Sequence, residues 1–275
     1  MFKESTKIKR IVGYLEDDLL QNNFSGYDPM TITHTPRYRK ILLKSDILPA
    51  KIWNSLMDYA KRFLSPISIR LINPPILQYT KAIALTASGF SFLYRKTDII
   101  HEKKYYLKMR IQLLDLLSSK RLPDSGLWGH DACYSIKGTR VTPDTPNLVT
   151  TVFAMNAYWD WYEATSDQEY LDLFCKLVLK CIEVFPINEH LGRLCISYTP
   201  NSLYFVHNAN LLFADCLARV NSVSPLVKHK SLIDSLVCYS LTDFQRTGSF
   251  PYAGPPTPND SFDNYHCGYV LRSLL

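Results

Sequence analysis

Several things are scarce in this chain of 275 residues, and each scarcity narrows what it can be. No run reaches the roughly 18 consecutive apolar positions that a membrane-spanning helix requires. The opening residues, "MFKESTKIKRIVGY", lack the apolar stretch of a secretory signal peptide. Charged residues make up only 20% of the chain, and the formal charge of +6 is spread thinly. Short basic clusters occur at Lys7–Arg10, Arg37–Lys40 and Lys228–Lys230, which read as solvated faces. A nucleic-acid groove needs a basic stripe, and none is present. P-loop, GxGxxG and Ser-His-Asp signatures are missing, as is the acidic DxDD element. Cysteines 133, 175, 181, 195, 216, 238 and 267 are odd in number and include no CxxC pair. Several lie in apolar helical runs such as "LFCKLVLKCIEVF", a pattern of buried free thiols in a reducing compartment. The expectation is a soluble cytoplasmic protein with no membrane span, no nucleic-acid partner, no metal and no bound cofactor.

What is abundant is apolar bulk. The chain is 47% hydrophobic and 13% aromatic, with 18 Tyr and 13 Phe, enough for a sizeable core and for lining clefts. The first 50 residues read as an irregular N-terminal segment. Beyond them the periodicity is almost wholly helical, and strand signals are weak. Segments 77–96, 147–164, 203–220 and 262–275 are apolar round most of their circumference. Segments 51–65, 101–121, 167–185 and 225–245 carry one apolar face opposite a solvated one. A helix that is hydrophobic all round is buried, whereas an amphipathic one covers a core. Alternating buried and covering helices describe two concentric layers joined as hairpins, an all-α (α/α) toroid in one domain over residues 1–275. Four hairpins and one further buried helix fall short of a six-hairpin ring. The stop at "YVLRSLL" therefore predicts an incomplete ring, whose open edge a partner or second copy would cover.

The connections repeat. Long Pro-rich loops with an aromatic segment after a Gly precede three of the buried helices: "SGLWGHDACYS…VTPDTPN", "LGRLCISYTPNS" and "TGSFPYAGPPTPNDS". Their anchor positions Trp128, Ile196 and Phe250 are 68 and 54 residues apart, the length of a helical hairpin plus its loop. Loops this long are uncommon unless functional, and each falls at the same end of the assembly.

The segments "PDTPNLVTTVFAMNAYWDWY", "SYTPNSLYFVHNANLLFADCLARV" and "GSFPYAG…DSFDNYHCGYVLRSLL" resemble a family of uncharacterised α/α-toroid proteins encoded with polysaccharide-biosynthesis genes. "FSGYDPM" at 24–30 is similar to the "GYDPYD" element of that family. The resemblance covers roughly residues 24–275. It implies a fold like that of the six-hairpin glycosidases and of toroidal lyases, epimerases, prenyltransferases and terpene cyclases. It implies a carbohydrate partner, but carries no established reaction. Cys267 departs from the Thr of the family's "FHTGYVL".

Superposing the repeats sets His207, Asn208 and Asn210 on Asp263, Asn264 and His266, with Thr150 and Thr151 at the matching places of the earlier repeat. Polar residues thus recur in the first turn of each buried helix. They read either as N-caps or as the lining of a shared mouth. Converging helix N-termini at such a mouth favour an anionic or oxygen-rich ligand. The loops add His130, Asp131, Asp144, Tyr198, Tyr252 and Asp260, and the aromatics Trp128, Tyr134, Tyr204 and Phe250, either sugar-stacking platforms or plugs between hairpins. Glycoside hydrolysis needs two carboxylates, at roughly 5 or 6.5–9.5 Å, and no pair stands out among Asp131, Asp144, Asp260 and Asp263. Proton abstraction beside a carboxylate needs a His or Tyr base and donors for the developing enolate. His207, His266, Asp263, Tyr198 and Tyr252 are the expected catalytic set. Asn208, Asn210, Asn264, His130, Asp131, Asp144 and Trp128 are the expected substrate-binding set. A zinc site from Asp263, His266 and Cys267 would need an unwound helix, because adjacent helical residues point about 100° apart. Three functions stay open: a lyase, epimerase or glycosidase acting on an acidic poly- or oligosaccharide; a non-catalytic glycan-binding or assembly factor; and a prenyltransferase- or terpene-cyclase-like enzyme.

Overall fold

The computed structural model describes residues 2–26, 76–136, 139–256, 258–259, 261–262 and 264–275. The segment 51–65, expected as a covering helix, Asp260, Asp263 and most of the "FSGYDPM" element lie outside these residues. Among the described residues there are eight helices and two small antiparallel hairpins.

Helix α1 (Phe2–Gln21) corrects the expected irregular N-terminus. Its Ile8, Ile11, Val12, Leu15 and Leu19 recur at helical spacing. Ile11 and Leu15 nevertheless stay largely exposed, so the helix is only lightly packed.

The remaining helices follow the alternation in the sequence. Helix α2 (Thr80–Lys96) forms a hairpin with α3 (Ile100–Ser119), α4 (Leu148–Thr165) with α5 (Gln168–Val184), and α6 (His207–Val223) with α7 (Val227–Thr247). Helix α8 (Asn264–Leu274) closes the series. Contacts between hairpins run mainly α2 to α4, α4 to α6 and α6 to α8, so these four form the inner layer. Helices α3, α5 and α7 each cover the inner helix before them. Their burial says why. Helix α4 buries nearly its whole circumference, from Leu148 to Trp161, while α5 buries a stripe of Leu171, Phe174, Leu177, Val178 and Cys181. Two inner helices are less enclosed than their composition predicts. Helix α2 leaves Leu85 and Phe92 exposed, and α8 buries only Val270.

Local signals end the helices where expected. Asn147 accepts the Thr150 N–H at 2.9 Å and caps α4. Asp167 caps α5 from the Glu169 N–H. Gly248, at φ 74°, ends α7 in the left-handed region. The α2 cap is borrowed from a distant loop: Asp131 accepts from both the Thr80 N–H at 2.7 Å and the Thr80 hydroxyl at 3.0 Å.

The long loops are not structureless. Strands β1 (Tyr134–Ile136) and β2 (Thr139–Val141) pair in the first. Strands β3 (Ile187–His190) and β4 (Arg193–Ile196) pair in the second. The β3–β4 turn places Leu191 at φ 51° and Gly192 at φ 74°. Two consecutive positive angles are what a two-residue hairpin turn demands. No described helix is long and apolar enough to cross a membrane. All seven cysteines are free thiols.

Candidate active site

The first turn of α6 splits into two faces. His207 and Asn210, three residues apart, share one face, and it meets α7. Asn208 lies about 100° round the helix and meets a cavity. His207 is 0% exposed, so it does not stand at the mouth, contrary to expectation. Its Nε2 lies 2.9 Å from Asp243 Oδ2 and its Nδ1 3.1 Å from Ser240 Oγ, and its ring stacks on Tyr239. Asn210 is equally buried. Its Oδ1 accepts the Ile196 N–H at 3.2 Å, and its Nδ2 donates to the Leu236 carbonyl at 2.7 Å and to Ser240 Oγ at 3.1 Å. Asn210 thus ties α6, β4 and α7 together.

Asn210 donates to Ser240, and the His207 ring joins Ser240 on one nitrogen to the Asp243 carboxylate on the other. The chain of contacts has the order of a hydrolytic triad. However, Ser240 is 0% exposed, and no substrate can reach its oxygen. These residues lock α6 to α7. Gly254 passes so close over the lock that a Cβ there would lie 2.6 Å from Tyr239 Oη and 2.8 Å from His207 Nε2.

The cavity occupies about 360 Å³ between the starts of α2, α4, α6 and α8 and the loop that follows α3. It brings together five of the expected residues: His130, Asp131, Tyr198, Asn208 and His266. His130 Nδ1 accepts the Ala132 N–H at 3.1 Å, so the neutral ring carries its proton on Nε2. Its edge-to-face contact with Tyr134, centroids 4.9 Å apart, orients it further. Gly129, just before it, has no room for a side chain: a Cβ would sit 1.9 Å from the Pro143 carbonyl oxygen. His266 is held edge-on against Tyr252 at 4.8 Å.

A second relay orders the floor. Asn147 Nδ2 donates to Tyr134 Oη at 2.8 Å, while Asn147 Oδ1 is taken by the Thr150 N–H and hydroxyl. Burial pushes the Tyr134 phenol well above the ordinary tyrosine range, as does its hydrogen bond to Tyr198. Tyr134 therefore stays protonated beside Tyr198. Asn208 contributes an amide whose Oδ1 has no hydrogen-bond partner among the described residues.

Several expected residues do other work. Asp131 lines the cavity, but its carboxylate is occupied by Thr80 and by Lys120 Nζ at 3.1 Å. Trp128 is fully buried, with its indole N–H on the Leu117 carbonyl at 2.7 Å. It is a plug between hairpins and not a stacking platform. Tyr252 does not line the cavity and acts on it through His266. Asp144 and Asn264 are outside the lining. Cys267 turns its thiol to the Phe250 carbonyl, 3.8 Å away, while the neighbouring His266 faces the cavity. The two cannot share an ion. Among the described residues no group of three or more His, Cys, Asp or Glu is placed to hold a metal.

Several lining residues were not anticipated, Lys81, Tyr265 and Tyr269 among them. Lys81, in the first turn of α2, hydrogen-bonds Tyr265 Oη on α8. Its ammonium lies 4.3 Å from the centre of the Phe153 ring and 4.9 Å from those of Tyr265 and Tyr269. Tyr269 in turn donates to Tyr265 at 3.1 Å. The rule applied to the other inner helices, polar residues in the first turn, points to Lys81 in "QYTKAIAL" when extended to α2.

In sequence the chain matches no protein-family model and no curated protein. In structure it does have neighbours. A D-mannose isomerase superposes with a TM-score of 0.52 at 14% identity, over 71% of this chain and 52% of that one. A polysaccharide lyase superposes with a TM-score of 0.53 at 14% identity, over 85% of this chain and 69% of that one. The fold is the α/α toroid. At such identities the likeness establishes the fold alone. The chain spans about half the length of the D-mannose isomerase.

Proposed function

We propose that this protein is a carbohydrate-active enzyme that moves protons on an acidic poly- or oligosaccharide, in lyase- or epimerase-type chemistry. Its setting in this reading is polysaccharide metabolism in the cytoplasm. One observation carries the reading. Two imidazoles, His130 and His266, reach the same cavity from separate elements, and the one carboxylate among its described lining residues is already held by Thr80 and Lys120. Glycosidase chemistry needs a second, available carboxylate. Proton abstraction needs a base, an acid and donors for an enolate. One imidazole takes the proton from the carbon beside the sugar carboxylate. The electron pair moves onto the carboxylate oxygens, where the Asn208 amide and the Tyr198 hydroxyl donate. In elimination the C4–O bond then breaks as the C4–C5 double bond forms, and the imidazolium formed in the first step protonates the leaving oxygen. His130, its Nδ1 taken by the Ala132 N–H, donates a hydrogen bond from Nε2 without losing its proton. In epimerisation the same carbon regains a proton from the opposite face. The toroid neighbours, a sugar isomerase and a polysaccharide lyase, support the substrate class at the level of the fold.

The test is incubation with uronate polymers, following unsaturated-sugar absorbance for elimination and C5 deuterium incorporation for epimerisation. The wild-type chain is expected to give one of the two. His130→Ala and His266→Ala are each expected to lower it about 10²- to 10⁴-fold. Sugar binding that survives both substitutions, with no turnover in the wild type, would replace the enzyme by a glycan-binding factor.

A further inference from the structure

We infer that Lys81 is the carboxylate-recognition residue of this cavity, the group that makes it select a uronate over the corresponding neutral sugar. This rests on the carbohydrate reading above and deepens it. Lys81 is the only lysine or arginine among the described residues lining the cavity, and no carboxylate of the described residues pairs with it. The other charged residue in the lining, Asp131, is neutralised by Lys120. Among the described lining residues, Lys81 is therefore the one cation without a carboxylate partner.

The geometry holds that charge ready. An ammonium has three donors, and Tyr265 Oη takes one. Phe153, Tyr265 and Tyr269 surround it with ring faces, which favour the cation without quenching its remaining donors. Lys81 is only partly buried and Tyr265 is 58% exposed, so a carboxylate can reach the ammonium from the cavity. Asn208 supplies an independent sign of a missing ligand. It is 5% exposed, lines the same cavity, and its Oδ1 has no partner among the described residues. A turn of the amide toward the cavity would bring this oxygen to a sugar hydroxyl, which donates. One cation for a carboxylate and one acceptor for a hydroxyl are the recognition elements of a uronate. A purely structural Lys81 would only pin α2 to α8.

The experiment measures binding by calorimetry for oligosaccharides of galacturonate, glucuronate and mannuronate, each against its carboxyl-reduced counterpart. The proteins are wild type, Lys81→Met and Lys81→Arg. Wild type is expected to prefer at least one acidic sugar by about tenfold, with the preference weakening in added salt. Lys81→Met, which keeps the apolar stem, should abolish the preference and leave the neutral sugar's affinity unchanged. Lys81→Arg should keep most of it. Equal wild-type affinity for acidic and neutral forms overturns the inference and leaves the carbohydrate reading standing. The inference also falls, with the carbohydrate reading intact, if Lys81→Met keeps the preference, or loses both ligands together as a structural pin would. Binding of neither form by the wild type overturns the inference and the carbohydrate reading together.

Discussion

Two polar clusters lie on opposite sides of one helical turn, and they are made of the same residue types. Behind α6, the cluster of His207, Asn210, Ser240 and Asp243 is closed, and each of these residues is at most 5% exposed. In front of α6, His130, Tyr198, Asn208 and His266 surround a cavity of about 360 Å³. Composition does not separate them, since each contains histidine, asparagine and a hydroxyl, but register does. A step of one residue along α6 turns a side chain by about 100°, from a seam between two helices to an open hollow. Buried polar groups are satisfied or costly, so the closed cluster reads as architecture and the open one as a site waiting for a ligand.

The largest effect is expected where the closed cluster is broken. His207→Ala strips a partner from a buried Asp243 and should cost about 3–5 kcal/mol of stability, measured by urea unfolding. Asn208→Ala, one residue on, should cost less than about 1 kcal/mol and act on ligand binding instead. Equal losses from both would erase the distinction. Next, His130→Ala and His266→Ala should reduce turnover about 10²- to 10⁴-fold while leaving the unfolding midpoint nearly unmoved. Gly254→Ala, which presses on Tyr239 and His207, should destabilise by about 1–3 kcal/mol. The β3–β4 hairpin carries Ile196 of the closed cluster and leads to Tyr198 of the open one. Relieving Leu191, which is 81% exposed at a positive φ, by Leu191→Asn should stabilise by about 0.5–1 kcal/mol. The smallest effect concerns Asp160 on α4. Burial raises its carboxyl above the ordinary range, against the lowering pull of Ser88, Arg219 and Arg272. A folded-state value above the unfolded one means that ionisation opposes folding. Stability should therefore fall as pH rises from the ordinary carboxylate value to the raised one. Asp160→Asn should remove that part of the pH dependence.

Much of the layer order was legible because apolar periodicity reports burial directly. The alternation of all-round apolar and one-faced segments matches the inner and outer helices from α2 to α7. Helix α1 was passed over although Ile8, Ile11, Val12, Leu15 and Leu19 carry the helical period; Ile11 and Leu15 stay exposed, and Val12 and Leu19 are only partly buried. Helix α8 looks buried in composition, yet its neighbours cover only Val270. At the site, the sequence pointed to the right turns and not always to the right side chains. Polar residues at helix starts mark a rim, but a one-dimensional pattern does not say which neighbour each will meet. His207 and Asn210 were drawn inward because α7 offers Ser240, Asp243 and the Leu236 carbonyl, partners 26 to 36 residues away. Lys81 was missed because a lone cation in an apolar helix gives no hint of three rings gathered from α4 and α8.

The scant burial of α8 has a bearing on how such a protein can change. The wall formed by α6 is bolted to its covering helix, so an exchange there must be matched by a second one in α7. Among the described residues the facing wall is tied more lightly, through the Lys81 to Tyr265 hydrogen bond and the Cys267 thiol on the Phe250 carbonyl. Tyr265, His266 and Tyr269 hang on a segment anchored mainly through Val270, and new side chains can be tried there without dismantling the frame. Novelty in what this scaffold handles is therefore easiest to acquire along α8.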